Sequence, residues 1–337
     1  MRSSFRRIGL GLTCATGVLL FLELAFRLAR VAPPLSKAYA DPIYVPDPHL
    51  PYRPAPHISR DTMSRSGEFR EVFTHNASGF RDVEHPRTKP TGTFRILGLG
   101  DSFTYGAGAP FDHTWLAILE RKLNERPGTH PIVEIIKAGV GGYFPEAERL
   151  LLEHEGLSYA PDLVLVGFNP SDLFETWRGL DDVRLHDGFL KTATARRWGR
   201  IGTLLYLYSH AGRALLDLGM KVQRRRDMRA FEAERNLVWD KIEAEYDRML
   251  ALLPPGVPLV IVFIPFGHLP PPDDVARLRA YGDARRISVV DASPALCGPS
   301  QPGVSHFWPR DGHCTPQGYA VLAEVVLEAL TRADLIP

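Results

Sequence analysis

Between Thr93 and Leu335, short apolar runs alternate with stretches whose apolar residues recur three and four positions apart. The runs are "TFRILGLG" (93–100), "IVEIIKAG" (132–139), "DLVLVGF" (162–168), "VPLVIVFIP" (257–265) and "RISVVDAS" (286–293). Runs this short and this apolar suit strands buried on both faces. Between the first two, Trp115, Leu116, Leu119 and Leu123 mark one face of a helix, with Asp112 or Thr114 as its cap. "PEAERLLLEHEG" places proline at a helix start and glycine at its end. "TPQGYAVLAEVVLEALTRADL" closes the chain as a helix with Thr315 as cap and Pro316 in its first turn. Strands alternating with amphipathic helices predict an α/β fold, a parallel five-stranded sheet covered on both faces.

One segment breaks the rhythm. Residues 174–252 hold no clear strand, and about 174–240 is expected to be a helical insertion able to cap a site, with "LVWDKIEAEYDRMLALL" returning to the core. Residues 31–90, rich in Pro, His, Arg and Asp, read as a linker and an edge segment, with "EVFTHNASGFRD" a short strand and turn. The main domain is expected over 91–337.

Residues 1–30 differ in kind. Arg2, Arg6 and Arg7 precede an apolar run, Ile8 to Leu22, of about 15 residues, short for a full span. Apolar character resumes after Glu23, and the nearest small-x-small site, "AYA" at 38–40, is distant. An uncleaved signal anchor is expected, a single pass with the body on the extracytoplasmic side, or else a secreted body after cleavage. The three cysteines include Cys297 and Cys314, which form one disulfide or remain two buried thiols. No His/Cys spacing suggests zinc. A net charge of +1 gives no field that argues for nucleic acid.

Chemistry concentrates after the strands. "GLGDSF" matches only part of a dinucleotide fingerprint, because Phe103 stands where a small residue is needed, and no Gly-Lys-Ser/Thr marks a phosphate loop. Ser102, just past a strand end and opening a helix, is instead placed as a nucleophile. "KAGVGGY" (137–143) follows strand two, "GFNPSDL" (167–173) follows strand three, and "PRDGHCTPQG" (309–318) precedes the last helix. A serine needs a base and a group that orients that base, and an oxyanion needs two or three donors. Successive strand ends supply candidates for every role. His306 and His268 read as loop histidines.

The chain resembles the SGNH (GDSL-type) hydrolases, a flavodoxin-like three-layer α/β/α fold of lipases, esterases and carbohydrate acetylesterases. "GDSFTYG" resembles the first block, which implies Ser102 as nucleophile and hole donor. "AGVGGY" resembles the second, implying Gly142 as the donor glycine. "GFN" resembles the third, implying the Asn169 side chain as donor. A second register sets Ser171-Asp172 there instead, and Asn169 is preferred because it ends the strand directly. "DGHCTPQG" is similar to the last block, implying His313 as base and Asp311 as orienting acid. The spacing is Asp-x-His, whereas many relatives have Asp-x-x-His. The resemblance implies acyl transfer from an ester of a small molecule or glycan, with no metal or organic cofactor. An O-acyltransferase on an exported glycan and a non-catalytic envelope binding module are the rival readings. A membrane-tethered structural protein with the insertion as its working part is a third.

Overall fold

The computed structural model describes residues 2–29, 43–64, 66–128, 131–181, 184–186, 189–191, 201, 205, 208–267, 273–298 and 303–337. In chain order the elements are α1 (Arg2–Leu28), β1 (Tyr44–Val45), β2 (Arg53–Pro54), β3 (Ser59–Met63), β4 (Arg70–Thr74), β5 (Thr93–Gly100), α2 (Ser102–Tyr105), α3 (Trp115–Asn124), β6 (Ile132–Gly139), α4 (Pro145–His154) and β7 (Leu163–Phe168). There follow α5 (Ser171–Arg178), β8 (Arg184–His186), β9 (Phe189–Lys191), α6 (His210–Leu252), β10 (Leu259–Phe263), α7 (Asp274–Arg285), β11 (Ser288–Asp291), α8 (Ser293–Cys297) and α9 (Pro316–Arg332). The chain divides into two units: Met1–Pro42 with Asp182–Ala233, and Ile43–Asp181 with Glu234–Pro337.

The larger unit carries a five-stranded sheet in the order β11-β10-β7-β5-β6. Every pairing is parallel. Counted along the chain this is the 2-1-3-4-5 doubly wound order, whose strand order reverses between its first and third strands, here β5 and β7. The five sequence runs are these five strands. Alternation along them divides the core. Ile96, Ile135, Leu165 and Val262 share one buried cluster with Trp115 and Leu119 of α3 and Leu322 and Val326 of α9. On the opposite face the Phe168 ring lies 5.4 Å from Trp239 of α6, within the half that belongs to the larger unit. The Thr315 hydroxyl caps α9 by accepting the Gly318 N–H at 3.2 Å, as its sequence suggested.

Residues from Ile43 on are not a bare linker. β1 pairs with β2 and β3 with β4 as antiparallel hairpins of the larger unit. Tyr52 and Phe80 are each 1% exposed, so aromatic side chains bind this segment to the core. Asp82 accepts from the ammonium of Lys137 in β6 at 3.0 Å, and both are buried. The expected insertion is only partly helical. It holds the β8–β9 hairpin as well as α6, and much of 182–207 lies outside the described residues, as do His268 and "AYA".

In the smaller unit, Glu23 of α1 accepts the Ser209 hydroxyl at 2.8 Å and the N–H groups of His210 and Ala211 at 3.0 and 2.9 Å. A carboxylate thus satisfies free donors at the start of α6. Among the described residues no helix is long and apolar enough to cross a membrane. All three cysteines are free thiols, Cys314 fully buried.

Candidate active site

Three side chains meet at the carboxyl end of the sheet. Ser102 Oγ lies 2.7 Å from His313 Nε2, and His313 Nδ1 lies 2.5 Å from Asp311 Oδ1. The carboxylate oxygen can only accept, so Nδ1 carries the proton and Nε2 is free to accept from the serine. Burial works to raise the Asp311 carboxyl, but its hydrogen bond with His313 and the His313 charge outweigh it and hold the carboxyl below its usual value. An imidazole so held can take a hydroxyl proton and return it.

Each member is placed by its local chain. Ser102 opens α2, which Asp101 caps by accepting the Phe103 N–H at 2.8 Å. Asp101 is pushed up to about 6 by burial, against the Phe103 N–H and the His313 charge. The short spacing between Asp311 and His313 works because Gly312 between them has φ 90°, a left-handed turn that folds the carboxylate back on the imidazole. That turn is closed by Trp308 N–H to His313 O and Gly312 N–H to Trp308 O, each 2.9 Å. Glu68, from the β3–β4 turn, accepts the Asp311 N–H at 2.9 Å.

A row of glycines gives α2 its seat. Gly100, Gly139 and Gly167 are paired across β6, β5 and β7. A Cβ on Gly139 would stand 2.9 Å from Tyr105 Cα and closer still to the backbone of Thr104 and Tyr105. A Cβ on Gly100 or Gly167 would strike the Thr104 side chain. The helix that Ser102 opens lies directly on three strand positions that carry no side chain.

Beside Ser102 is a cavity of about 220 Å³. Ser102, Tyr105, Ala107, Gly108, Gly141 and His313 line one side, and Tyr44, Val72, Phe73, His75 and Arg81 the other. The second wall comes from the segment that sequence reads as linker and edge. Arg81 is buried, and its guanidinium donates to Gly106 O at 2.8 Å, Ala109 O at 2.7 Å and Val72 O at 3.1 Å, tying β4 to the loop after α2. His75 Nδ1 lies 3.0 Å from Ala55 O and therefore donates, so Nε2 accepts the Tyr105 hydroxyl at 2.9 Å. Burial lowers His75 to about 4, which keeps this ring neutral.

The expected hole donors fare unequally. Gly142 has φ 78°, but it is Gly141 that lines the cavity. Asn169 is fully buried and does not line the cavity. Its Nδ2 donates to Ile264 O at 3.0 Å, toward β10 and so away from β5, and its Oδ1 accepts the Ser171 N–H and hydroxyl at 2.9 and 2.7 Å. A buried amide at a strand end was bound to find partners, and here they are the Ile264 carbonyl just past β10 and the start of α5. His306 Nδ1 donates to Leu296 O at 2.8 Å, a loop role.

A family model described as the GDSL-like lipase/acylhydrolase family matches residues 99–321. No curated protein matches. Among solved structures, a member of the lipolytic protein G-D-S-L family from Veillonella parvula shares 15% identity over 71% of this chain and 99% of its own, with a TM-score of 0.41. A catalytic mutant of an acetylxylan esterase from Geobacillus stearothermophilus shares 14% identity over 70% of this chain and 94% of its own, with a TM-score of 0.42.

Proposed function

The chain belongs to the GDSL-like lipase/acylhydrolase family, and from that premise we propose that it is a serine hydrolase of short acyl esters carried by a small molecule or a glycan. The hydrogen-bonded chain from Ser102 through His313 to Asp311 carries this reading. His313 Nε2 takes the Ser102 proton as Ser102 Oγ attacks the ester carbonyl. Asp311 holds the ring in that tautomer and stabilises the imidazolium. In this reading the backbone N–H groups of Ser102 and Gly142 are the donors assigned to the oxyanion, and His313 returns its proton to the leaving alcohol. Water then takes the acyl group by the same steps. The retention of all three side chains in register speaks for catalysis over a binding module.

The cavity supports the choice of acyl group. Val72, Phe73, Ala107 and Ala109 make its walls apolar, and about 220 Å³ suits a short chain better than a long one. The N-terminal segment supports a membrane tether. Arg2, Arg6 and Arg7 lie in the first two turns of α1, and its Leu20, Phe21 and Leu28 are 66%, 70% and 77% exposed.

The test is a fluorophosphonate probe on the full chain beside Ser102→Ala and His313→Ala. Labelling of the parent that both substitutions abolish is expected. A folded parent that takes no label overturns the reading.

A further inference from the structure

An oxyanion formed at Ser102 needs donors, and the side chain that sequence assigns to this task is buried and does not line the cavity. The Asn169 Nδ2 bond runs to Ile264, and the Ser171 hydroxyl that could replace it is donated to Asn169 Oδ1. Among the described residues, Tyr44, Tyr52, Tyr105, Tyr143 and Tyr319 bring phenols to the cavity wall or to the chain behind it, and Tyr319 donates to Ala107 O at 2.8 Å. Tyr52 donates its hydroxyl to Gly141 O at 2.8 Å, Tyr105 donates to His75, and Tyr143 donates to Tyr52 O. Tyr44 is the exception: among the described residues no protein group hydrogen-bonds its hydroxyl, and the residue lines the cavity.

Its position is defined by one glycine. A Cβ on Gly141 would stand 3.0 Å from Tyr44 Oη and 3.9 Å from Ser102 Cβ. The phenol and the nucleophile therefore flank the same point, next to the Gly142 peptide. The ring is held there from two sides. Its backbone pairs with Pro54 in the β1–β2 hairpin, and its ring meets Tyr52 in a T-shaped contact, centroids 4.9 Å apart at 72°.

We propose that the Tyr44 hydroxyl is a catalytic hydrogen-bond donor to the oxyanion, filling the side-chain place in the hole. This rests on the serine hydrolase reading above. As Ser102 Oγ bonds the carbonyl carbon, the C=O π pair moves to the carbonyl oxygen and the Ser102 proton goes to His313. Tyr44 donates a hydrogen bond to that oxygen and keeps its proton throughout. Burial, with the Glu71 charge, pushes the phenol up to about 12, so it stays protonated across the working range. The donor belongs to a segment outside the region that the family model matches, which begins at residue 99. A pre-aimed donor of this kind contributes to the transition state and little to substrate binding.

The experiment compares the full chain with Tyr44→Phe on p-nitrophenyl acetate and on a phenylboronate, whose serine adduct is tetrahedral. The substitution removes one oxygen that bonds no described protein group, so the thermal midpoint is expected to stay unchanged. A kcat lowered about 100-fold with KM within about threefold, and boronate affinity lowered in parallel, is the expected result. An active parent whose Tyr44→Phe variant keeps its kcat, or raises KM alone, overturns the role of Tyr44 and leaves the hydrolase reading intact. A parent that neither hydrolyses the ester nor takes a fluorophosphonate overturns the hydrolase reading, and Tyr44 with it.

Discussion

Behind Ser102 lie three buried carboxyl groups, each in a different state. Asp101 is hydrogen-bonded, Asp172 accepts the Asn169 N–H through one oxygen at 2.9 Å, and neither oxygen of Glu148 has a described partner. Glu148 is pushed well above its usual value of 4.5 by burial and then by the Asp101 charge. Asp172 is raised in the same direction by burial and by the charges of Asp101 and Glu148. A raised carboxyl binds its proton more tightly in the folded chain than in the unfolded one. Its stabilising contribution is therefore present at acid pH and is lost as pH rises from about 4.5 toward the folded value. Each such group costs about 1.4 kcal/mol per pH unit across that window. Glu148→Gln removes one of them, so its thermal midpoint is expected to gain on the parent between pH 5 and pH 8. A difference that stays constant with pH would show that Glu148 is ionised or already paired. Asp311, held below its usual value, acts with the opposite sign and weakens the fold only at acid pH.

At the scale of elements, the site depends on how closely α2 approaches the sheet. The helix has four residues, Ser102–Tyr105, too few to be stable alone. Its place is set by the Asp101 cap at one end, by Arg81 at the other, and beneath by the glycine row across β6, β5 and β7. Gly139 is the strictest of the three, because its absent Cβ would meet backbone, which has no rotamer to change. Gly139→Ala is expected to cost about 3 kcal/mol of stability in denaturant melts. Its kcat on p-nitrophenyl acetate is expected to fall further than the folded fraction does, because α2 carries Ser102. Full activity in Gly139→Ala would mean that the helix can lift off the strands without moving its hydroxyl.

For the whole molecule, the larger unit is a doubly wound sheet whose active end is finished by a segment that precedes the first strand. Residues 43–82 supply Tyr44, Glu68, Phe73, His75 and Arg81 to the cavity or to the loop that carries Asp311. The first 29 residues are expected to act on location. In fractionated cells the full chain is expected in the membrane pellet and to resist carbonate, and a chain lacking residues 2–29 in the supernatant. A full chain recovered in the supernatant would remove the tether from the proposal.

Periodicity and turn residues determined the sheet, because five runs with no polar face can be satisfied only as strands covered on both sides. Ser102, Asp311 and His313 were legible for a related reason. Ser102 stands at a strand end and helix start, and Asp311 and His313 in the turn that leads into the last helix, where backbone geometry exposes a side chain whatever it packs against. The structure decided what depends on distance and direction. The Asp-x-His spacing closes through the φ of Gly312, which sequence leaves free. The Asn169 amide turns to β10 rather than toward β5, a choice made by the Ile264 carbonyl. The Tyr44 phenol, the Arg81 bond to Gly106 and the Glu68 contact join residues across 25 to 243 positions of chain, and no local pattern marks such pairs. Local rules specify which atoms a strand end presents, and only packing brings another part of the chain against them.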